Sequence, residues 1–371
     1  MKNIVIYGLA EGLGGVETII LSLINKLVER FSFTIVLSDK DKCGYLHRIP
    51  SQVNVVNVTP WGENPRKFKK DFCNLLNECK CDFVWLNACV TSNRELVKAI
   101  KSAKRPVKFI THSHGTNYEN DGLLKTIVIK SLHILNQRLY NNVASLKLAC
   151  SSKAAEWFYG KNNTRDVTII KNGIDTANFK YNKSQRDELR RKWKCEDSFI
   201  CLHIGRLSAV KNQSYILKIF SELCKLKANA LLLIAGTGEL YEELQAEAEL
   251  LGISDKVQFL GLYSRVSDLY NISDVFLLPS LHEGMPLTLV EAQCAGLHCF
   301  VSSSISREVK LTRFLTFLPI TESPAIWAEQ IASQKYESKR ELGVNEIIDA
   351  GFDIEKISDE VALMIDEIYS K

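Results

Sequence analysis

Two glutamates, Glu283 and Glu291, stand eight positions apart in the stretch PSLHEGMPLTLVEAQCAGLHC, residues 279–299. Upstream, GRLSAVKN places Arg206 and Lys211 five apart, and THSHG places His112 and His114 two apart. Met285, Leu287, Leu289, Val290, Ala292, Cys294 and Ala295 leave no broad polar stripe around Glu291, so its helix is expected to be buried on most sides. A carboxylate left there without partners would cost several kcal/mol, so it needs hydroxyl or N–H donors. Those donors belong either to the protein or to a ligand. A ligand reading has a definite shape: a helix N-terminus offers N–H groups and positive dipole to an anion, while glutamates beside it accept from hydroxyls. A nucleotide sugar has that layout. Arg206 and Lys211 fit a clamp on a diphosphate, where each unit charge about 4 Å from the anion is worth on the order of 4 kcal/mol at an effective dielectric near 20. Two solvated loop cations are the plainer alternative.

These side chains need strands and turns to hold them. The run 274–278 reads as a strand closed by Pro279, and the helix after it should begin near Met285, with Gly284 at its cap, Pro286 in the first turn and Gly296 past its end. The chain opens as strand, glycine-rich turn, helix, strand: 3–7, then GLAEGLGG, then 16–30, then 33–37, the start of a doubly wound parallel sheet. Gly12 and Gly14 begin a dinucleotide-type GxGxxG, but Glu17 occupies the third glycine position. Glu17 reads instead as a helix-start carboxylate. Further strands are expected at 53–58, 83–86, 107–110, 146–150 and 167–170. The alternation restarts at 199–204 and continues through ALLLIAGTGEL, VQFLG, DVFLLPS and CFVSSS. His112 and His114 follow the strand ending near Ile110, where active-site residues of open α/β sheets collect, and would point to one side if that strand continued through them.

The segment EGMPLTLVE resembles the double-glutamate motif of retaining glycosyltransferases of family 4, which have the GT-B fold. The resemblance implies two Rossmann-like domains facing a central cleft, with a C-terminal helix crossing back to the first domain. The expected boundaries are 1–176 plus 355–371 for an acceptor-binding domain and 177–354 for a nucleotide-sugar-binding domain. NGID, residues 172–175, is similar to the family's hinge, and the charged stretch 181–194 reads as a linker. By the same resemblance, Gly14 and Gly15 close over the donor diphosphate, and His112, or else His114, hydrogen-bonds the transferred sugar. Arg206 and Lys211, after Gly205, hold the diphosphate; Gly236 and Thr237 lie near the nucleotide, and Gly261, Leu262 and Tyr263 pair with the base. Glu283 holds sugar hydroxyls, Glu291 the ribose, and Gly284, Met285, Pro286 and Leu287 the phosphates. The implied reaction moves a hexose or N-acetylhexosamine from a nucleoside diphosphate sugar, with UDP favoured, to a hydroxyl of a glycan or lipid-linked acceptor, with retention. No cofactor or metal is expected, since fixed cations take the metal's place. After Gly296, SSSISREVKLT replaces the glycine-rich turn of many members and is similar to a subgroup associated with bacterial capsule and exopolysaccharide synthesis. A nucleotide-sugar epimerase of the same fold and a non-catalytic nucleotide-sugar-binding protein are the competing classes.

Composition fits two globular domains: 371 residues, 46% hydrophobic and 24% charged. The eleven cysteines show no CxxC pair and read as reduced thiols of a cytoplasmic protein. The only DxD, Asp39 to Asp41, reads as an exposed loop. The net charge of +4 divides unevenly, because residues 1–178 carry 25 Lys and Arg against 15 Asp and Glu. A basic first half points to an anionic membrane surface or a phosphate-bearing acceptor, and nucleic acid is not favoured because no recognition motif accompanies the charge. The stretches 65–77 and 122–140 mix apolar residues with cations, so either one could lie in a membrane interface or simply cover a sheet.

Overall fold

The computed structural model describes residues 1–116, 122–335 and 339–370. The chain divides into two units: Met1–Gly173 joined by Ile354–Lys371, and Ile174–Asp353. Short apolar runs with no polar face become strands buried on both sides, the pattern of an all-parallel sheet. The first unit has the strands β1 (Lys2–Tyr7), β2 (Phe31–Leu37), β3 (Asn54–Asn57), β4 (Phe83–Ala88), β5 (Lys108–Ser113), β6 (Leu146–Ala149) and β7 (Val167–Ile169), of which the edge strands β3 and β7 are not buried. They form one sheet in the order β3-β2-β1-β4-β5-β6-β7, and every pairing is parallel.

The second unit repeats the plan with β8 (Phe199–Ile204), β9 (Ala230–Ala235), β10 (Val257–Gly261), β11 (Val275–Leu278), β12 (His298–Ser302) and β13 (Leu315–Leu318), ordered β10-β9-β8-β11-β12-β13. Sequence reading missed β13. It is four residues long, LTFL, lies at the sheet edge and is only partly buried, so its pattern is short and weak. In each sheet the chain runs outward from its first strand and then returns to that strand's other side. The crevices at the carboxyl ends of β1/β4 and β8/β11 are therefore the topological switch points where such sheets hold ligands.

Helices cover both sheets. In the first unit Phe68, Phe72 and Leu76 of the helix Pro65–Glu78 pack with Val5, Val84 and Leu86 of the strands, so the apolar face of this helix covers the sheet. The last helix, Ile354–Ser370, belongs to the first unit, where Asp366 pairs with Lys2 and Arg30, Glu355 with Lys26, and the Tyr369 ring lies 5.9 Å from that of Phe83. The stretch read as a linker is instead a structural part of the second unit. Its helix Lys183–Lys192 sends Arg186 Nη1 to the carbonyls of Asn271 (2.8 Å) and Ser273 (2.7 Å), and Arg190 Nη1 to that of Ile272 (2.9 Å). None of the eleven cysteines is in a disulfide.

Candidate active site

At the switch point of the second sheet, β8 runs into residues 205–212 and β11 into residues 279–286. The two loops are tied together: Leu281 N donates to Val210 O at 2.8 Å and Asn212 Nδ2 to Pro279 O at 3.2 Å. Lys211 ends a 3-10 turn, Ala209–Lys211, and its Nζ lies 2.6 Å from Glu283 Oε1. Both side chains are mostly buried, 20% and 13% exposed, so this is a held ion pair rather than a solvated contact. Arg206 differs. It is 74% exposed and pairs with Glu239 at 3.1 Å, so in this structure the two expected clamp cations sit on different carboxylates.

The base of the Arg206 loop rests on two residues that sequence reading did not single out. His203, fully buried on β8, places Nδ1 2.9 Å from Leu277 O on β11 and Nε2 3.1 Å from Gln213 Nε2. Gln213 Nε2 also donates to Arg206 O at 2.8 Å. The amide thus fixes the ring with Nε2 as acceptor and Nδ1–H as donor, and latches the loop backbone to it. Nothing in a single sequence marks an inward-facing strand histidine as a latch.

Three strand ends interlock here through backbone. Gly205 N donates to Ala235 O, Leu207 N to Thr237 O and Gly236 N to Gly261 O, at 2.8–3.0 Å. Gly236 has φ +135°, and a Cβ there would stand 1.9 Å from Gly205 O. One at Gly238 would stand 2.1 Å from Leu207 O. These glycines serve the fold first. Leu262 is exposed, and the Tyr263 ring makes an edge contact with Trp193 at 6.1 Å.

The helix after β11 runs Leu287–Cys294, two residues later than expected, and its N-cap is Pro286 in an extended conformation with ψ 122°. Proline has no N–H to offer, so the amides presented ahead of the first intrahelical bonds are those of Leu287 and Thr288 rather than of Met285. A Cβ at Gly284 would meet nothing within 4 Å. Glu291 is half-buried and has the hydroxyl donor its helix demanded: Tyr270 Oη lies 2.8 Å from Oε2 and 3.0 Å from Thr288 O. Burial first, then the Glu291 carboxylate, pushes the Tyr270 phenol well above its ordinary range. Tyr270→Phe should destabilise the second unit by about 1–2 kcal/mol, read as a lower urea midpoint, because a half-buried carboxylate loses a donor. An unchanged midpoint would show that Glu291 does not depend on this phenol.

In the first unit the corresponding point is built around Gly8, another residue sequence reading passed over. It follows β1 with φ +100°, and a Cβ there would stand 2.0 Å from Asn87 O at the end of β4. Asn87 Oδ1 accepts from His114 Nε2 at 3.0 Å. His112 ends fully buried near the tip of β5, its ring centroid 4.0 Å from that of His114, so both histidines do share one side. Neither ring nitrogen of His112 has a hydrogen-bond partner among the described residues. Gly14 caps the helix Gly15–Leu27 and donates to Glu17 Oε2 at 3.0 Å, while Glu17 Oε1 accepts from Ala10 N at 2.9 Å. Glu17 is thus the capping carboxylate expected for it. A Cβ at Gly15 would meet nothing within 4 Å. Asp39 caps a 3-10 turn by accepting from Asp41 N, and Asp41 is exposed.

Burial holds these histidines neutral. His114 is pushed down to about 3, His203 to about 4, and His112, also beside His114, well below the ordinary value. Unfolding returns each to about 6.5, so below that pH the unfolded chain binds more protons than the folded one. Their stabilising contribution is therefore complete above about pH 6.5 and is lost as pH falls through about 4 for His203 and about 3 for His114. Urea midpoints should drop between about pH 7.5 and 5, and His114→Gln should flatten that slope; an equal slope in the variant would refute the assignment.

Residues 185–310, which carry Arg206, Lys211, Glu283 and Glu291, match the family model described as glycosyl transferases group 1. A Bacillus subtilis (strain 168) protein named as glycosyltransferase EpsF is 29% identical over 357 residues, 92% of this chain and 91% of its own length. The Campylobacter jejuni GalNAc-alpha-(1->4)-GalNAc-alpha-(1->3)-diNAcBac-PP-undecaprenol alpha-1,4-N-acetyl-D-galactosaminyltransferase is 29% identical over 300 residues, 78% of this chain and 76% of its own length. Among solved structures, Anabaena Alr3699/HepE in complex with UDP superposes with a TM-score of 0.76 at 19% identity, covering 99% of this chain and 100% of that one. Over residues 185–310 the sequence is similar to the group 1 glycosyl transferases, and the fold of two parallel-sheet α/β units is similar to that of solved structures such as WaaG, described as a glycosyltransferase involved in lipopolysaccharide biosynthesis, at a TM-score of 0.69 and 16% identity.

Proposed function

We propose that this chain is a retaining glycosyltransferase that moves a hexose or N-acetylhexosamine from a UDP-sugar to a hydroxyl of a glycan or lipid-linked acceptor, in bacterial surface polysaccharide synthesis, without a metal. The observation that carries this reading is the Lys211–Glu283 pair at the switch point of the second sheet, beside the N-terminus of the helix Leu287–Cys294. In the reaction the leaving group is a diphosphate, and the barrier falls chiefly by neutralising the charge it gains. Lys211 supplies a fixed cation, the Leu287 and Thr288 amides supply dipole, and exposed Arg206 is free to swing from Glu239 to the phosphates. Glu283, oriented by Lys211, accepts from the sugar hydroxyls, and Glu291 from the ribose. The second unit binds the donor and the first the acceptor.

The UDP choice draws on the UDP bound to the Anabaena neighbour. A lipid-linked acceptor and an α-linked product draw on the name of the Campylobacter relative. An α-linked donor giving an α-linked product is retention, and a departing phosphate that takes the acceptor's proton on the same face needs no carboxylate nucleophile.

Calorimetric titration with UDP, GDP and ADP, followed by a panel of sugars on whichever nucleotide binds, tests the donor. The anomeric configuration of the product tests retention. An inverted product, or UDP binding no tighter than ADP, defeats the corresponding part of the proposal.

A further inference from the structure

The helix Leu123–Val143 leaves an apolar stripe facing outward. The side it turns to the protein is mixed, with Leu139 and Val143 packed on the core beside polar groups. His133 and Asn136 are buried there with Ile129 and Tyr140, and they hold the 91–93 loop: Thr91 N donates to His133 Nδ1 at 3.0 Å, Asn136 Nδ2 to Ser92 O at 3.2 Å, and Tyr140 Oη to Asn93 O at 2.6 Å. The side it turns outward is apolar. Leu124, Ile127, Val128, Ile134 and Leu135 are all exposed, from 51% to 81%, with exposed Ser131 among them. Their spacing of three and four puts them on one stripe. A helix that only covered its sheet would bury that stripe and leave its polar side in water.

Charge identifies what meets the stripe. The helix contains no Asp or Glu; by helical rotation Lys125 and Lys130 border the stripe on opposite sides, and Arg138 lies at its end. The unit as a whole carries 27 Lys and Arg against 19 Asp and Glu, a difference of +8. A second copy seated there would bring two sets of cations together with no carboxylate on either helix to offset them. An anionic bilayer surface supplies both partners that the stripe lacks, acyl chains for the apolar side chains and phosphate for the cations. No described helix is long and apolar enough to cross a membrane, so the contact is one of lying on the surface.

We infer that the outward stripe of the helix Leu123–Val143 docks the protein on an anionic lipid surface. This inference stands apart from the proposed reaction, and its test does not use turnover. The full chain is floated with vesicles of phosphatidylcholine alone or of equal parts phosphatidylcholine and phosphatidylglycerol, at low and high salt. The expected result is flotation with the anionic vesicles, weakened by salt, with at least a roughly tenfold loss of bound protein in Val128→Glu/Leu135→Glu. Lys125→Glu/Arg138→Glu should keep the residual binding and lose the preference for phosphatidylglycerol. Thermal unfolding reports whether each variant is folded; these side chains face outward, so the midpoint should hold. Equal flotation of Val128→Glu/Leu135→Glu and the parent chain overturns the inference. So does a parent chain that ignores vesicles and forms a dimer which that same variant dissociates.

Discussion

Replacing Lys211 with methionine should lower turnover about 100- to 1,000-fold, some 2.7–4 kcal/mol of transition-state stabilisation, while the chain stays folded. Methionine keeps the stem and removes the charge. The magnitude is that of a preorganised group aimed at developing negative charge, and Lys211 meets the condition, since Glu283 and its own 3-10 turn already hold it. Arg206→Met should cost less, because an exposed guanidinium shared with Glu239 must first be ordered on the phosphates. Steady-state kinetics on both variants decide the point. If Lys211→Met stays within a few-fold of the parent, or if Arg206→Met is the more damaging, the fixed cation is not the main stabiliser of the leaving group.

Gly236→Ala should be the most destabilising single-methyl change at the site, by about 3 kcal/mol or more. Two penalties combine there. The residue sits at φ +135°, where an L side chain is strained by about 1–3 kcal/mol, and the new methyl would stand 1.9 Å from Gly205 O, backbone that cannot step aside without opening β8 against β9. Gly284→Ala is the matched control. Its methyl would meet nothing within 4 Å, so unfolding should change by less than about 1 kcal/mol, while donor affinity falls if the phosphates pass over that backbone. Urea denaturation and UDP titration of the pair separate a glycine required by the fold from one required by a ligand. Equal stability losses in both variants would refute that distinction.

The strand pattern was legible because parallel strands buried on both faces must be nearly all apolar, and β8 was bounded to the residue. The capping role of Glu17 was legible for a related reason: a carboxylate three residues after a glycine cap acts within its own turn. Where a contact depended on another segment, reading failed or stopped short. The helix 183–192 read as a linker because its charges look solvated, yet Arg186 and Arg190 spend them on carbonyls that lie some 80 residues later in the chain. The helices at 65 and 123 looked alike as mixtures of apolar residues and cations, and only the packing of Phe68 and Phe72 against the sheet, with His133 and Asn136 turned inward in the other helix, told them apart.

By itself the sequence determined two alternating α/β units, the loops at their strand ends and the residue types able to hold a diphosphate there, because periodicity, turns and caps are set by neighbours within a few positions. Tertiary structure decided which groups meet. It joined Lys211 to Glu283, gave Glu291 the Tyr270 hydroxyl, set the His112 ring against that of His114, and made Gly8 and Gly236 obligatory through carbonyls far along the chain. Those choices rest on pairings across a sheet, and strand order is a property that no local pattern encodes.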